Sequence, residues 1–142
     1  MRGGRIVAVG STREIRGLAR SGQTQQHDLR GRMVLLEFWS TSCGPCRFDA
    51  PKNVAYYKTL PRAKVEFLGV SSDESAQTLA EFEKEFGMTW PQLREPFEGP
   101  IHRQYRVDGE PTYYLIGADG NIVDKWMGGG LAVDRMKKAL GN

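Results

Sequence analysis

The sequence predicts an α/β protein in which helices flank a central mixed β-sheet. Apolar runs of strand length at residues 33–38 and 65–70 each precede a helical segment, which indicates parallel strands joined by crossover helices. Two further β-like segments, at residues 112–116 and 122–126, flank a short turn and indicate an antiparallel hairpin. The length predicts a single domain over residues 1–142, long enough to bury a core without disulfide bonds.

The segment before the first apolar run is expected to add peripheral structure to this sheet. Residues 1–14 are rich in Gly and Arg around one short β-like run, which predicts a peripheral strand or a flexible lead-in. Residues 15–26 predict a β-hairpin with Ser21 and Gly22 at its turn. The run at residues 33–38 is almost entirely apolar, so we expect a strand that is covered on both faces.

Helix signals follow both apolar runs. A helix is predicted from Cys43 to about Leu60, with a kink where Pro51 removes a backbone hydrogen bond. A second helix is predicted over residues 75–86, because its apolar residues recur on one face and Gly87 follows as a C-terminal glycine. These two helices are the expected crossover connections.

The last third of the chain predicts a loop, a hairpin and a closing helix. Residues 90–99 alternate prolines with charges, which is typical of a loop, and residues 100–105 predict a short helix. After the hairpin, three glycines at residues 128–130 break the chain before an amphipathic helix at about residues 131–140. The predicted order is therefore a hairpin, then βαβα, then ββα.

The composition narrows the range of functions. Hydrophobic residues make up 39% of the chain and charged residues 26%, which is ordinary for a globular protein. The net charge is +3 and the basic residues are spread along the chain, so no nucleic-acid partner is expected. No run approaches the roughly 18 apolar residues of a membrane helix. Two cysteines are too few for a stabilising disulfide framework, so they need a chemical explanation.

The chemistry is concentrated in the sequence Cys43-Gly44-Pro45-Cys46, at the predicted start of the first helix. A cysteine in that position faces free backbone amides and the positive end of the helix dipole, which favour the thiolate. Arg47 adds a cation nearby, and Pro45 lacks an amide hydrogen that the helix does not need there. The predicted reaction is attack of Cys43 on a partner's disulfide, followed by displacement of the product by Cys46. No cofactor is expected apart from the redox-active Cys43–Cys46 disulfide itself, and no metal is expected.

The cysteines have two other interpretations. One is a zinc site in which Cys43 and Cys46 combine with His27 and His102. The histidines form no ligand pair in the sequence, which speaks against it. The other is a pair of inert buried cysteines, and the Gly-Pro turn at a strand–helix junction speaks against that interpretation.

Glu37 is a single carboxylate in an otherwise apolar strand. A buried, unpaired charge is costly, so Glu37 should be protonated or have a partner. We favour a role as proton acceptor for Cys46 when a mixed disulfide resolves. A solvent-facing glutamate at a strand end is the alternative.

Pro111 follows Glu110 and precedes an apolar strand. An X–Pro bond in this setting, after a turn containing Gly109, is a candidate cis peptide. Most such bonds are trans, so the sequence physics leaves the isomer open.

Taken together, these motifs resemble the thioredoxin family, and more closely its TlpA/ResA-like branch, the thioredoxin-like proteins of the bacterial cell envelope. The resemblance covers about residues 15–140 and implies a thioredoxin-like fold with an N-terminal β-hairpin and a central insertion. It rests on Phe38-Trp39, Cys43-Gly-Pro-Cys46, Pro51, the segment at 107–112, the lead-in at 21–32, the insertion at about 71–106 and the turn at 117–120.

The resemblance implies a thiol-disulfide oxidoreductase with Cys43 as nucleophile and Cys46 as resolving cysteine. Pro111 would be the cis-proline that packs against the disulfide and helps to position a substrate strand. Glu37 falls where thioredoxin has its buried aspartate. The residues expected to support this site are Trp39, Gly44, Pro45, Arg47 and Thr112.

Members of the envelope branch reduce disulfides of partner proteins, including apocytochrome c during haem attachment. The resemblance therefore implies disulfide-containing protein substrates and an upstream thiol reductase in the membrane. We expect a monomer in the bacterial periplasm or envelope, with a membrane tether in the full-length form, and the cytoplasm as the alternative location.

Some residues depart from the family pattern or leave a choice open. Ser42 stands where relatives commonly have a tryptophan, so we expect the dithiol to be exposed differently from theirs. Asp73 or Glu74 lies near an acidic position of the branch, and the sequence does not decide between them.

Two further functions remain as alternatives. A peroxiredoxin-like peroxidase would have a proline and a threonine where this chain has Glu37 and Ser40. A non-enzymatic redox-sensing, haem-binding or metal-binding module is the other, although Arg47 follows Cys46 where a haem-attachment motif needs histidine.

Overall fold

The computed structural model describes residues 29–141. The lead-in predicted at residues 1–14 and the hairpin predicted at 15–26 lie outside the described residues. Within them no helix is long and apolar enough to cross a membrane. The elements are β1 (Met33–Trp39), α1 (Gly44–Tyr57), β2 (Val65–Ser71), α2 (Ala76–Phe86), β3 (Gln92–Arg94), α3 (Pro100–Gln104), β4 (Thr112–Ile116), β5 (Ile122–Met127) and α4 (Ala132–Leu140).

The strands form one mixed sheet in the order β3-β2-β1-β4-β5. Strand β2 is parallel to β1 and β3, because helices α1 and α2 cross over between them. Strands β4 and β5 form the predicted hairpin, and β4 is antiparallel to β1. The predicted α/β architecture with a mixed sheet is therefore confirmed.

Strand β1 divides the core into two layers because its side chains alternate. Leu35 and Trp39 pack with residues of α1, α2 and α4 in one layer. Leu36 and Phe38 pack with residues of α3 in the other layer. The predicted two-sided burial of β1 is confirmed, and the alternation places Glu37 on the α1 side of the sheet.

Helix α1 ends at Tyr57, before the predicted end at Leu60. The backbone N–H of Thr59 donates to the carbonyl of Tyr56 at 2.9 Å, and that of Leu60 to the carbonyl of Tyr57 at 3.2 Å. These bonds span three residues instead of four, so the chain tightens into turns before the next strand.

The prediction of a loop over residues 90–99 is wrong at residues 92–94. These residues form β3, which pairs in parallel with the end of β2. Its side chains are too polar to predict a strand, yet Gln92 is buried because its Oε1 accepts a hydrogen bond from Trp39 Nε1 at 2.9 Å. A contact across the sheet, invisible in local sequence, therefore decides this element. Helix α3 is the short helix predicted at residues 100–105.

Candidate active site at the start of helix α1

Cys43 and Cys46 lie between β1 and α1 and are joined by a disulfide bond. Cys43 is the N-cap of α1, and its Sγ accepts a hydrogen bond from the backbone N–H of Cys46 at 3.2 Å. Cys43 is partly exposed, whereas Cys46 is only 1% exposed. Gly44 and Pro45 are exposed in the first turn, whose free amides create a positive field at the N-cap. A second protein can therefore reach the sulfur of Cys43 but not that of Cys46.

The loop that leads into the dithiol is anchored by Asp73. Its carboxylate accepts hydrogen bonds from the Thr41 hydroxyl at 2.6 Å, from the Thr41 backbone N–H at 3.1 Å and from the Ser71 hydroxyl at 2.6 Å. Glu74 is exposed, and its backbone carbonyl accepts from Arg94 at 2.8 Å. Of the two acidic residues that the sequence left open, Asp73 is the one tied to the site.

Arg47 braces the same loop. Its Nη1 donates to the Thr41 carbonyl at 3.0 Å, and its guanidinium lies 5.1 Å and 5.7 Å from the ring centres of Phe82 and Phe86. The cation predicted next to the dithiol is thus held against α2. Ser42 is exposed at the tip of the loop, so no large side chain covers the disulfide there.

Two buried carboxylates share one tyrosine, Tyr113, which lies in the same core layer as Cys46. Tyr113 Oη lies 3.1 Å from Glu37 Oε2 and 2.8 Å from Asp49 Oδ2, and it accepts a hydrogen bond from Asn53 Nδ2 at 3.1 Å. Asp49 Oδ1 also accepts from the Gly130 backbone N–H at 2.7 Å. Glu37 is 5% exposed and Asp49 2%, which rules out the solvent-facing alternative for Glu37.

All of the hydrogen bonds at the Tyr113 hydroxyl can form at once when Glu37 is protonated. A phenol has one hydrogen and two lone pairs, so Tyr113 can donate to Asp49 while it accepts from Asn53 and from a protonated Glu37. Burial raises the pKa of Glu37 to about 8; the Tyr113 hydrogen bond opposes this rise, and the charges of Asp49 and Glu110 add to it. Burial also raises the pKa of Tyr113, which keeps its proton.

The peptide bond between Glu110 and Pro111 is cis. Pro111 is buried, and its carbonyl accepts from the Gly128 backbone N–H at 2.9 Å. The next residue, Thr112, pairs with Phe38 in the register of β4 and β1. This register places Pro111 beside the end of β1, from which the chain turns towards the dithiol.

Trp39 is a core residue beside the site. It is 1% exposed, its Nε1 donates to Gln92, and its ring packs against Phe82 at 5.1 Å between ring centres. It belongs to the same buried cluster as Cys46, with Cys43 packed against that cluster. Trp39 therefore supports the floor of the site.

The structure removes His102 from the zinc interpretation. His102 lies on α3 and contacts Phe38 on the sheet face opposite to α1, so it cannot join the cysteines in one ligand set. His27 lies outside the described residues. Within residues 29–141 no group of three or more His, Cys, Asp or Glu side chains could hold a metal ion.

Three residues of the buried network were missed in the sequence: Asp49, Asn53 and Tyr113. Asp49 and Asn53 follow Cys46 by three and seven positions, a spacing that places all three on one helix face. This spacing was the available signal. Tyr113 could be added only once β4 was known to lie beside β1.

Comparisons with known proteins agree with this geometry. The sequence pattern of the AhpC/TSA family matches residues 15–125. Thiol-disulfide oxidoreductase ResA of Oceanobacillus iheyensis is 31% identical over 116 residues, which is 82% of this chain and 59% of that protein. ResA of Bacillus subtilis is 32% identical over 96 residues, which is 68% of this chain and 53% of that protein. The chain thus spans less than two thirds of the length of these relatives.

A solved structure supports the fold. The thioredoxin domain of a thiol-disulfide oxidoreductase from Bacteroides vulgatus superposes with a TM-score of 0.70 at 24% identity. The match covers 79% of this chain and 81% of that one. The predicted thioredoxin-like fold is therefore confirmed.

Proposed function

Because the chain belongs to the AhpC/TSA family, we propose that it is a thiol-disulfide oxidoreductase that reduces disulfide bonds of partner proteins. The observation that carries this proposal is the asymmetry of the disulfide-bonded pair at the start of α1: Cys43 is partly exposed and Cys46 is buried. The names of the relatives, thiol-disulfide oxidoreductases, support the same activity.

In the proposed reaction the reduced protein gives two electrons to the partner. The Cys43 thiolate, stabilised at the N-cap, attacks one sulfur of the partner's disulfide and releases the other as a thiolate. Cys46 then loses its proton and attacks the Sγ of Cys43. The partner leaves as a dithiol once it has been protonated, and the Cys43–Cys46 disulfide remains.

The Cys46 proton is proposed to enter the buried carboxylate network. Glu37 can accept it after its own proton has moved to Tyr113 while the Tyr113 proton moves to Asp49. This shift conserves charge within the network and follows the hydrogen bonds at 3.1 Å and 2.8 Å. The cluster holds one proton for two carboxylates, so it has room for a second.

The proposed partners are disulfide-containing proteins of the bacterial periplasm or envelope, with cytochrome c precursors among them. An upstream thiol reductase in the membrane would return electrons to the dithiol. The sequence resemblance to the envelope branch and the relatives named ResA support this placement. The Cys46→Ser variant should trap partners as mixed disulfides on Cys43, and capture of cytoplasmic enzymes alone would overturn the location.

The activity itself is tested by insulin reduction with dithiothreitol as electron source. The wild-type protein should accelerate the reaction, and Cys43→Ser should lower the rate to the uncatalysed background. A Cys43→Ser variant with full activity would overturn the nucleophile assignment. Consumption of hydrogen peroxide without insulin reduction would favour the peroxidase alternative.

A further inference from the structure

A second group of charged residues lies next to the cis-proline, on the sheet face opposite to α1. Glu110, directly before Pro111, directs its carboxylate towards the ends of β1 and β2. Its Oε2 accepts a hydrogen bond from the Ser72 hydroxyl at 2.7 Å, and the Ser40 hydroxyl also stabilises its charge. The side chain is 12% exposed. The carboxylate that flanks the cis-proline is thus largely held inside the protein.

His102 lies behind this carboxylate and is completely buried. Its Nδ1 is 2.7 Å from Glu95 Oε2, and its Nε2 is 3.8 Å from Glu110 Oε2. The rings of Phe38 and Phe97 cover it, with ring centres 5.0 Å and 5.2 Å away. Among the described residues Nε2 has no hydrogen-bond partner, so the carboxylate of Glu110 is the group that faces it as an ion pair.

This geometry suits a protonated imidazole. Both ring nitrogens face a carboxylate oxygen, and only the imidazolium carries a proton on each nitrogen. Burial by itself lowers the pKa of His102, but the charges of Glu110 and Glu95 outweigh it and the net pKa is raised. Burial has the opposite effect on the carboxyl of Glu110 and raises its pKa. Hydrogen bonds and charge from His102, Ser72 and Ser40 outweigh this, so the net pKa of Glu110 is below its usual value.

We propose that His102 is a positioning residue for partner binding: in its protonated form it holds Glu110 against the ends of β1 and β2 and thereby fixes the Glu110–Pro111 peptide. This inference rests on the proposed function. The register of β4 with β1 begins at Thr112, so the Glu110 backbone lies beyond the ladder, where an extended chain of a partner can add. A segment that is fixed in advance loses less entropy when a protein chain docks on it.

The charges around His102 make its ion pair with Glu110 depend on whether the imidazole is protonated. Glu95 and Glu110 are the charged groups that face the imidazole. Loss of the His102 proton would remove the positive charge that lies between the two carboxylates, and Glu110 would no longer be held by an ion pair. The other charged groups nearby line an open surface cavity beside the histidine: Glu98, Arg103, Arg106 and Asp108.

The test compares a protein disulfide, insulin, with a small one, hydroxyethyl disulfide, and takes the ratio of the two kcat/KM values. Both reactions need Cys43, so its titration cancels in the ratio. The wild-type ratio should fall about tenfold as pH rises through the pKa of His102, the loss expected for one interaction with a charged group. His102→Gln and Glu110→Gln should show the low ratio at every pH, through a higher KM for insulin.

Glu95→Gln is the matched control, because it removes the charge on the other side of His102 without altering Glu110. It should move the fall of the ratio to lower pH without abolishing it. The sequence contains two histidines, so NMR titration of the imidazole signals, assigned with His27→Gln, reads the same shift directly.

The outcomes separate this inference from the proposed function. If the wild-type protein reduces neither disulfide, the proposed function fails and the inference fails with it. If it reduces both, but the ratio of Glu110→Gln equals that of wild type at every pH, only the positioning role is refuted. Glu110 is partly exposed, so this variant decides the matter if the buried His102→Gln does not fold.

Discussion

At the scale of single residues, the Tyr113 hydroxyl joins three separate parts of the chain. It contacts Glu37 on β1 and both Asp49 and Asn53 on α1. One phenol proton cannot serve two ionised carboxylates, so the protonation of Glu37 depends on the charge of Asp49. A change of charge at Cys46, which lies in the same core cluster, is therefore expected to redistribute protons through this oxygen.

Tyr113→Phe should change both stability and the pH dependence of the reaction. The variant leaves Glu37, Asp49 and Asn53 without their shared partner, which should lower the free energy of unfolding by about 1–3 kcal/mol. It also removes the hydroxyl that can turn to donate to Glu37 once Glu37 is ionised, an interaction that lowers the pKa of Glu37, so that pKa should rise further. The rate of mixed-disulfide resolution, measured against pH, should shift to higher pH.

The neighbouring tyrosine provides the control for this prediction. Tyr114 is equally buried, but its hydroxyl donates to the backbone carbonyl of Tyr105 in the other core layer. Tyr114→Phe should also destabilise the protein, yet leave the pH profile in place. Equal shifts of the profile in both variants would remove Tyr113 from the proton network.

The residues of the site differ in how far the sequence reveals them. Cys43, Cys46 and Glu37 stand out locally, because a dithiol at a helix start and a carboxylate in an apolar strand are unusual in their own segments. Asp49 and Tyr113 meet across 64 positions of sequence, and each taken alone looks like an ordinary helix or strand residue. Only tertiary structure makes them part of the site.

At the scale of elements, the position of the dithiol depends on the loop between β1 and α1. Residues outside this loop hold it by hydrogen bonds. Asp73, just after β2, binds the Thr41 hydroxyl and backbone N–H and also the Ser71 hydroxyl. Arg47 of α1 holds the Thr41 carbonyl from the other side. The approach to Cys43 is thus fixed by β2 and α1 together.

Asp73→Asn should loosen this loop. An amide oxygen can replace only one of the two carboxylate oxygens, so the variant should lose about 1–3 kcal/mol of unfolding free energy. Urea unfolding of the oxidised protein measures the loss. Glu74→Gln is the matched control and should stay close to wild type, because Glu74 is exposed. If the two variants lost the same amount, the anchor would not be Asp73.

Elements with strong local signals were predicted well. Helix α2 begins after Ser75, whose hydroxyl accepts from the Thr78 backbone N–H at 3.1 Å, and it ends at Gly87 with φ of +73°. Both residues belong to types that favour these positions. Strand β3 was missed because a three-residue segment is too short to show periodicity. The segment is a strand only because it pairs with β2.

At the scale of the whole molecule, the antiparallel placement of β4 beside β1 creates the site. It brings Pro111 to the end of β1 and Tyr113 under α1, although both follow the dithiol by more than sixty positions. Sequence patterns predicted which strands are parallel or antiparallel, and the family resemblance predicted that Pro111 lies near the dithiol. The position of Tyr113 under α1 was not predicted, because long-range pairing leaves no local trace. The dithiol on one sheet face and the His102–Glu110 pair on the other therefore both lie near the carboxyl end of β1.

The burial of Glu37 and His102 makes the stability of the whole molecule depend on pH. Glu37 has a pKa of about 8 in the folded protein against an ordinary value of 4.5, so the folded state keeps a proton that the unfolded state releases. Its stabilisation is complete below about pH 4.5 and is lost as pH rises to about 8. The pKa of His102 is also raised above its ordinary value of 6.5. His102 therefore adds a further loss of stability as pH rises above 6.5.

The unfolding free energy of the oxidised protein should therefore fall between about pH 5 and pH 8, with a slope of up to about 1.4 kcal/mol per pH unit from Glu37. Urea titrations at several pH values measure this slope, and Glu37→Gln should flatten it over that range. Glu83→Gln is the control: burial also raises the pKa of Glu83, but its side chain is only half-buried, so the slope should change less. A wild-type stability that is constant or rises over this range would show that Glu37 is ionised in the folded protein, and the proton network would then need a different charge state.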